Sequence, residues 1–167
     1  MANFPTKKYG VIYADPPWQF KLRSDKGKDK SPERHYPVLS LTDICRLPVN
    51  TITEDNAVLL MWVCDPMLDQ ALEVINAWGF KYKTVGFTWA KTNRKKLGFF
   101  TGLGYWTRGN PEMCLLATKG RPKRKAMDVA QLVVSQRGRH SEKPLLHKNI
   151  ERLVDGPYIE LFARKKP

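Results

Sequence analysis

The residues best suited to chemistry form the tetrapeptide Asp15-Pro16-Pro17-Trp18. Proline has no backbone N–H, so Pro16 and Pro17 offer only carbonyl acceptors, and an ionised Asp15 also accepts hydrogen bonds without donating any. Such a group of acceptors suits a ligand group that is all donor, such as an exocyclic amine. Accepting both amine hydrogens turns the nitrogen lone pair towards an electrophile, which stabilises a transition state. Trp18 adds a flat face on which a nucleobase can stack, worth about 1–3 kcal/mol per base.

The segment that must position this tetrapeptide is the apolar run from Tyr9 to Ala14. β-Branched and aromatic residues followed at once by two prolines predict a buried strand that enters a tight loop. In open α/β sheets, ligands bind just beyond the carboxyl ends of strands. The alternative is a strand-ending turn with a capping Asp15 and a core Trp18, but the position after this strand favours a functional site.

The rest of the chain predicts an alternation of strands and helices. The predicted strands span residues 57–63, 81–90, 112–118, 130–134 and 158–163, and the predicted helices span residues 41–47, 66–78 and 144–154. Because such an alternation forms βαβ units, the sequence predicts an α/β fold with a doubly wound, mostly parallel sheet. At 167 residues, the chain is expected to form a single domain over residues 1–167.

Two helix starts carry clear signals. Ser40 is a predicted N-cap, and Asp65 followed by Pro66 predicts a capped helix with proline at its first position. Gly79 is expected to end that second helix. Its core-facing residues at helical spacing are predicted to be Leu68, Ala71, Leu72, Ile75 and Trp78.

The chain is strongly basic. It has 29 Lys and Arg against 16 Asp and Glu, a formal net charge of +13, which predicts a polyanionic partner. The basic residues cluster in segments that we expect to be loops around one face of the sheet. Nucleic acid is favoured over an acidic membrane surface, because no amphipathic helix accompanies the charges; a merely soluble basic protein is the remaining alternative. The candidate contacts, including two aromatic residues that can stack on bases, are Lys26, Lys28, Lys91, Asn93, Arg94, Lys95, Tyr105, Trp106, Arg108 and Arg124.

Several classes of protein are disfavoured. The longest apolar run, residues 57–64, is far shorter than the ~20 residues of a membrane helix, and the first residues contain no apolar signal core. Three scattered cysteines, Cys45, Cys64 and Cys114, fit a reducing cytoplasm and predict neither disulfides nor a metal site. No dinucleotide or P-loop glycine motif occurs in the sequence.

The order of several motifs resembles one family along most of the chain. Asp-Pro-Pro-Trp after a short apolar strand is similar to the catalytic signature of the MT-A70 family of N6-adenine methyltransferases. Further matching segments follow in the family's order: Leu59-Leu60-Met61-Trp62-Val63, Ala77-Trp78-Gly79-Phe80, Trp89-Ala90-Lys91-Thr92-Asn93, Gly104-Tyr105-Trp106, Glu112-Met113-Cys114-Leu115, Ser141-Glu142-Lys143-Pro144 and Ile159-Glu160-Leu161-Phe162.

This resemblance implies a Rossmann-like methyltransferase fold, S-adenosylmethionine as cofactor and methyl transfer to the N6 amine of adenine. It implies catalytic roles for Asp15, Pro16, Pro17 and Trp18. The implied cofactor contacts are Asp15, Lys143, Glu160, Phe162 and Arg164. Lys143 is a suitable cation for the cofactor's carboxylate, and the alternation of a strand is expected to place Glu160, Phe162 and Arg164 on one face. Members of the family usually continue beyond this strand into a tail, which we expect this chain to lack.

The resemblance leaves the substrate open. The favoured substrate is DNA, single-stranded or locally opened, and the expected location is the cytoplasm. N4-cytosine methylation, an RNA substrate and a catalytically silent nucleic-acid-binding partner are the alternatives. The oligomeric state is open, with a homodimer as one option. The polar segment from Gln19 to Arg34 is expected to be a lid or a phosphate clamp.

Overall fold

The computed structural model describes residues 4–19, 39–139 and 142–163. They form a six-stranded sheet with helices on both faces. In chain order the elements are β1 (Tyr9–Ala14), α1 (Leu41–Arg46), a 3-10 turn (Val49–Ile52), β2 (Thr53–Val63), a 3-10 turn (Asp65–Met67), α2 (Leu68–Ala77), β3 (Lys81–Thr92), β4 (Glu112–Lys119), β5 (Leu132–Gln136), α3 (His147–Leu153) and β6 (Tyr158–Leu161).

The sheet is mostly parallel, as the sequence predicts. Its strand order is β5-β3-β4-β2-β1-β6, and β4 alone runs against its two neighbours, β2 and β3. Strands β1, β2, β3, β5 and β6 share one direction. They therefore end at the same edge of the sheet, where β4 begins. We call this edge the carboxyl edge, because ligands in such sheets bind beyond it.

Two apolar clusters, one on each face, hold the sheet between helices. In β1, Ile12 and Ala14 belong to one cluster, with residues of α1 and α2, while Val11 and Tyr13 belong to the other, with α3. This division follows from the pleat, since successive side chains of a strand point to opposite faces. Burial on both faces explains why β1 and the second half of β2 are continuous apolar runs.

The helix signals are partly confirmed. Ser40 caps α1, with its Oγ accepting the N–H of Asp43 at 3.1 Å. Asp65 and Pro66 instead lie in a 3-10 turn, and α2 begins only at Leu68. The predicted apolar face is also shifted, because Val74 is buried whereas Leu68 and Leu72 are more than a third exposed.

Trp78 is fully buried, as predicted, and its Nε1 donates to the Ile44 carbonyl at 2.9 Å, which fixes α1 against α2. Most strands match their predicted positions within a few residues; β5 begins two residues later than predicted, at Leu132. None of the helices in the described part of the chain has the length and apolar character needed to span a membrane.

Candidate active site

The Asp15-Pro16-Pro17 segment lies at the carboxyl end of β1, as the sequence predicts. Asp15 and Pro17 are half-buried and Pro16 is buried. The Asp15 N–H donates to the Leu161 carbonyl at 3.4 Å, which attaches the segment to the end of β6. The Pro16 carbonyl accepts the Trp18 N–H at 2.9 Å. Because a carbonyl oxygen has two lone pairs, Pro16 can accept a second bond.

Trp18 has the core position that the sequence offered as the alternative to a stacking platform. Its side chain is only 5% exposed and packs in the apolar cluster of α1 and α2, and its Nε1 donates to the Trp62 carbonyl at 2.9 Å. The indole therefore anchors the tetrapeptide to the end of β2. In this arrangement Trp18 is a packing residue, and its faces are not available as a platform for a base.

Glu112 joins two lysines at the carboxyl edge. Its Oε1 lies 2.8 Å from the Lys91 Nζ, and its Oε2 forms an ion pair with Lys143. All three side chains are at most 15% exposed. We call these three residues the ion triplet. Two ammonium groups and one carboxylate make up the triplet, and the ammonium groups are its hydrogen-bond donors.

The charge state of Glu112 follows from this geometry. Burial alone would raise the pKa of Glu112, but the ammonium groups of Lys143 and Lys91 outweigh burial and hold the pKa below its ordinary value. Glu112 is therefore an ionised acceptor at neutral pH. By contrast, burial raises the pKa of Cys64 to about 12, so this neighbouring thiol stays protonated.

Two indoles support the ion triplet. The Lys143 Nζ lies 5.5 Å from the ring centroid of Trp62, and the Lys91 Nζ lies 5.1 Å from that of Trp89. The two indoles meet edge to face at 6.4 Å. Both lysines thus combine an ion pair with a cation–π contact, which fixes them more firmly than a surface pair.

Buried groups connect the ion triplet to Asp15. Beyond the large effect of burial, the charges of Asp15 and Lys143 both act on the Cys114 thiol and shift its pKa in opposite directions. The Tyr13 hydroxyl, which accepts the Trp62 Nε1 at 2.7 Å, is buried, and Asp15 and Glu160 both raise its pKa. Asp15, Lys143 and Glu160 are therefore all close enough to these buried groups for their charges to act on them.

The last strand corrects one expectation. β6 ends at Leu161, and Phe162 has a φ of +62°, in the left-handed region. The alternation of a strand does not continue through such a residue, so it does not place Phe162 on the face of Glu160. Phe162 packs beside the cluster of α1 and α2, and the Glu160 Oε2 lies 2.9 Å from the His147 Nε2.

A loop over residues 93–110 rises from the carboxyl edge between β3 and β4. Asn110 holds its base: its Oδ1 accepts the Lys91 N–H at 2.9 Å, and its Nδ2 donates to the carbonyls of Lys91 and Phe100. The Asn93 amide donates to the carbonyls of Gly98 and Phe99 at 3.2 and 3.1 Å. Two predicted nucleic-acid contacts, Lys91 and Asn93, are thus engaged in the site and in the loop itself.

The basic segments do not lie around one face, which corrects another expectation. Lys119 ends β4 opposite Ala57, at the edge of the sheet remote from Asp15. Arg124 lies between Arg121, whose N–H donates to Asn56 Oδ1, and Lys125, whose N–H donates to the Leu153 carbonyl. The exposed residues Arg94, Lys95, Tyr105, Trp106 and Arg108 are on the loop at the carboxyl edge instead. The reversal of β4 causes this separation.

Sequence comparisons identify the family to which the chain belongs. The MT-A70 family profile matches residues 9–167. The chain is 36% identical to the type II methyltransferase M.MunI of a Mycoplasma species, over 97% of this chain and 75% of that protein. This chain belongs to the MT-A70 family.

Other MT-A70 relatives are longer proteins. The chain is 29% identical to the human N(6)-adenosine-methyltransferase catalytic subunit METTL3 over 94% of its own length, which is 26% of that protein. It is 28% identical to the N(6)-adenosine-methyltransferase MT-A70-like of Arabidopsis thaliana, of which it spans 22%. Membership confirms the predicted fold and adenine N6 methylation as the family's function. Methyltransferases of this family depend on S-adenosylmethionine in general.

The MT-A70 motifs did not identify every residue of this site. Glu112 lies in a segment that matches the family, but the resemblance assigned it no role. An acidic residue at the start of an apolar strand could have indicated a buried ion pair at that end of the strand. Three predicted contacts, Lys26, Lys28 and Arg164, lie outside the described residues, as does most of the segment expected to be a lid. The described residues contain no cluster of three or more His, Cys, Asp or Glu suited to a metal ion.

Proposed function

We propose that this chain transfers the methyl group of S-adenosylmethionine to the N6 amine of adenine in DNA. One observation carries the proposal: the acceptors of Asp15, Pro16 and Pro17 stand at the carboxyl end of β1, at the same edge of the sheet as the ion triplet. The chain is more similar to a type II methyltransferase than to the N(6)-adenosine enzymes, whose name specifies a ribonucleoside. This difference favours DNA over RNA.

The residues at the carboxyl edge fit the chemistry of the cofactor. S-Adenosylmethionine supplies a methyl group on a positively charged sulfur and carries a carboxylate, an ammonium and ribose hydroxyls. Lys143 is a donor for the carboxylate because its ammonium group has three N–H bonds. Asp15 is an acceptor for the ammonium or for the target amine, and the Glu160 carboxylate is an acceptor for hydroxyl groups.

The Asp15 carboxylate and the proline carbonyls would hold the target adenine. Adenine must leave the base stack to reach them, which costs a few kcal/mol and least in single strands. Asp15 and Pro16 accept the two N–H bonds of the amine, so that its lone pair points at the methyl carbon. Bound S-adenosylmethionine would supply the methyl group, its carbon–sulfur bond breaking as the bond to nitrogen forms, and Asp15 would take up the proton that the nitrogen loses. Alignment of the reacting atoms supplies much of the rate.

The direct test is transfer of tritium-labelled methyl from S-adenosylmethionine to native DNA, denatured DNA and RNA. Digestion to nucleosides then identifies the product. We expect N6-methyladenine in DNA. N4-methylcytosine, or label in RNA alone, would contradict the assigned substrate, and binding of DNA without any transfer would indicate a silent partner.

Asp15→Asn tests the acceptor role with a nearly isosteric change. The amide turns one acceptor into a donor that repels the target N–H, so we expect methyl transfer to fall at least about a hundredfold, as for the loss of other well-placed catalytic groups. DNA affinity, measured by fluorescence anisotropy, should change less than about twofold, because the basic loop residues are intact. Asp69→Asn, an exposed substitution on α2, is the matched control. Full transfer by Asp15→Asn would refute the assignment.

A further inference from the structure

The tip of the loop over residues 93–110 exposes an unusual amount of apolar surface. Trp106 is 93% exposed, and Leu97, Phe99 and Leu103 are 99%, 64% and 54% exposed. Large apolar side chains so fully in solvent are uncommon, and several of them on one loop indicate an interaction site. The four other tryptophans of the sequence, all in the described residues, are at most 5% exposed. Trp106 is therefore the indole that an incoming ligand meets.

The backbone of Trp106 has a strained conformation. Its φ is +68°, and the Thr107 N–H donates to the Tyr105 carbonyl at 2.8 Å, which closes a three-residue turn centred on the indole. Turns of this kind are rare, and a bulky residue is unfavourable in the left-handed region. Strain of this kind is typical of functional positions, where surrounding structure enforces it.

The surrounding structure here is a closed loop base. Gly102 and Gly109 face each other in an antiparallel bridge, with the Gly102 N–H donating to the Gly109 carbonyl at 2.7 Å. At Gly104, a β-carbon would lie 2.2 Å from the Thr107 carbonyl oxygen, so only glycine permits this path. The tip is thus a defined structure that projects one indole.

The loop base places this indole beside the candidate active site. Asn110 binds the backbone of Lys91, and the Lys91 ammonium pairs with Glu112 in the ion triplet. Between Gly102 and Trp106 the chain can reach at most about 14 Å. Trp106 therefore lies on a loop that leaves and rejoins the sheet at the carboxyl edge, where the target nucleotide would bind.

The excess of basic residues on the loop indicates the kind of partner that it binds. Residues 92–111 contain no Asp or Glu, and four exposed basic residues, Arg94, Lys95, Lys96 and Arg108, share this loop with the apolar side chains. A polyanion with flat apolar groups matches both features, since basic side chains contact phosphates while aromatic ones stack on bases. A second copy of this chain would bring another +13 charge against the first.

We propose that Trp106 is a wedge that enters a DNA duplex and fills the gap left when the target adenine leaves the stack. Proteins that unstack DNA insert apolar side chains between base steps in this way. The proposal rests on the proposed function and adds a substrate property: the wedge matters for duplex DNA, where the base must be extruded, and little for single strands.

Tryptophan fluorescence tests the contact without requiring activity. Because the four other tryptophans are buried, quenching by acrylamide reports chiefly on Trp106. We expect a saturating unlabelled duplex to lower the quenching constant at least about threefold, because stacking covers the indole. Trp106→Phe should lack most of the quenchable emission of the free protein. Unchanged quenching of the wild-type protein with DNA bound would overturn the proposal.

Methyl transfer to one DNA in two forms tests the wedge role. Native and heat-denatured samples of the same linear plasmid are compared. Stacking is worth about 1–3 kcal/mol per base, so Trp106→Ala should lose about tenfold or more on the duplex and less than about twofold on the denatured form. Trp106→Phe should keep most duplex activity. Met127→Ala, 84% exposed outside the loop, is the control.

Each other outcome argues against the wedge. Equal losses on both forms would assign Trp106 a structural role, and no loss would leave it no role in extrusion. Protection of Trp106 that rises with protein concentration without DNA, together with a dimer in sedimentation, would assign the tip to a second copy of this chain. If the wild-type protein methylates neither form, the proposed function fails, and the quenching measurement still decides whether the indole enters DNA.

Discussion

Glu112 is the residue on which the charge balance of the candidate site depends. Its carboxylate separates two ammonium groups that would otherwise repel each other inside a nearly solvent-free region. Removing one member of a buried ionic group leaves the remaining charges without compensation, which costs more than the group contributes to stability. The residue is therefore an anchor for Lys91 and Lys143.

Glu112→Gln should lower the free energy of unfolding by about 3 kcal/mol at neutral pH. It should also reduce methyl transfer, because both lysines lose the partner that positions them. Urea denaturation measures the first effect. Glu151→Gln, an exposed substitution on α3, should leave stability within about 0.5 kcal/mol of the wild type.

The pH dependence of stability shows whether Glu112 acts through its charge or through the packing of its side chain. Since Glu112 has a folded pKa below its ordinary value of 4.5, its carboxylate contributes stability above pH 4.5 and loses it as the pH falls through the folded pKa. The stability gap between wild type and Glu112→Gln should therefore be constant above pH 4.5 and shrink below it. A gap that stays constant at low pH would show that Glu112 acts through packing and not through its charge.

At the scale of elements, the loop over residues 93–110 depends on Asn110. One side chain bonds the end of β3 and the returning strand of the loop, through three hydrogen bonds. Without them the tip would lose its fixed position beside the ion triplet. The loop also carries the exposed trypsin sites Arg94, Lys95, Lys96 and Arg108.

Asn110→Ala should speed tryptic cleavage of this loop about tenfold or more, since each hydrogen bond is worth about 1 kcal/mol and three are lost. Limited proteolysis followed by mass spectrometry measures the rate and the sites. Asn76→Ala, on the exposed face of α2, should leave the rate unchanged. Equal cleavage of Asn110→Ala and wild type would contradict the anchoring role.

At the scale of the whole molecule, the fold sorts the basic charge into two regions. One exposed set belongs to the loop at the carboxyl edge, and the other follows β4 at the remote edge. Both sets add to the long-range attraction of DNA, but only the first can contact phosphates next to a bound adenine. The salt dependence of DNA affinity distinguishes direct phosphate contacts from long-range attraction, because it depends on the number of phosphates that the protein neutralises.

We therefore expect two triple alanine variants of equal charge change to behave differently. The logarithm of the DNA association constant falls linearly with the logarithm of the salt concentration. Replacing Arg94, Lys95 and Lys96 should reduce the magnitude of this slope by about 2–3. Replacing Arg121, Lys123 and Arg124 should reduce that magnitude by less than about 1. Anisotropy titrations of one DNA duplex at several salt concentrations give both slopes. The reverse order would place the DNA at the other edge of the sheet.

Local patterns were sufficient for much of this protein. β1 was predicted with its observed bounds because an apolar run and two prolines define a strand and its end within ten residues. The cap at Ser40 and the burial of Trp78 depend on neighbours in the same helix and were predicted for that reason. The ordered motifs identified the family, because they record which segments meet without requiring their geometry.

The tertiary structure decided how distant residues pair. Lys143 and Glu112 are 31 residues apart, and they meet only because β4 runs against its neighbours and begins at the edge where they end. The same reversal carries Arg124 to the remote edge. The Trp18 indole is buried because the end of β2 supplies an acceptor for its N–H. Such pairings follow from strand order and direction, which are properties of the assembled sheet and not of any one segment.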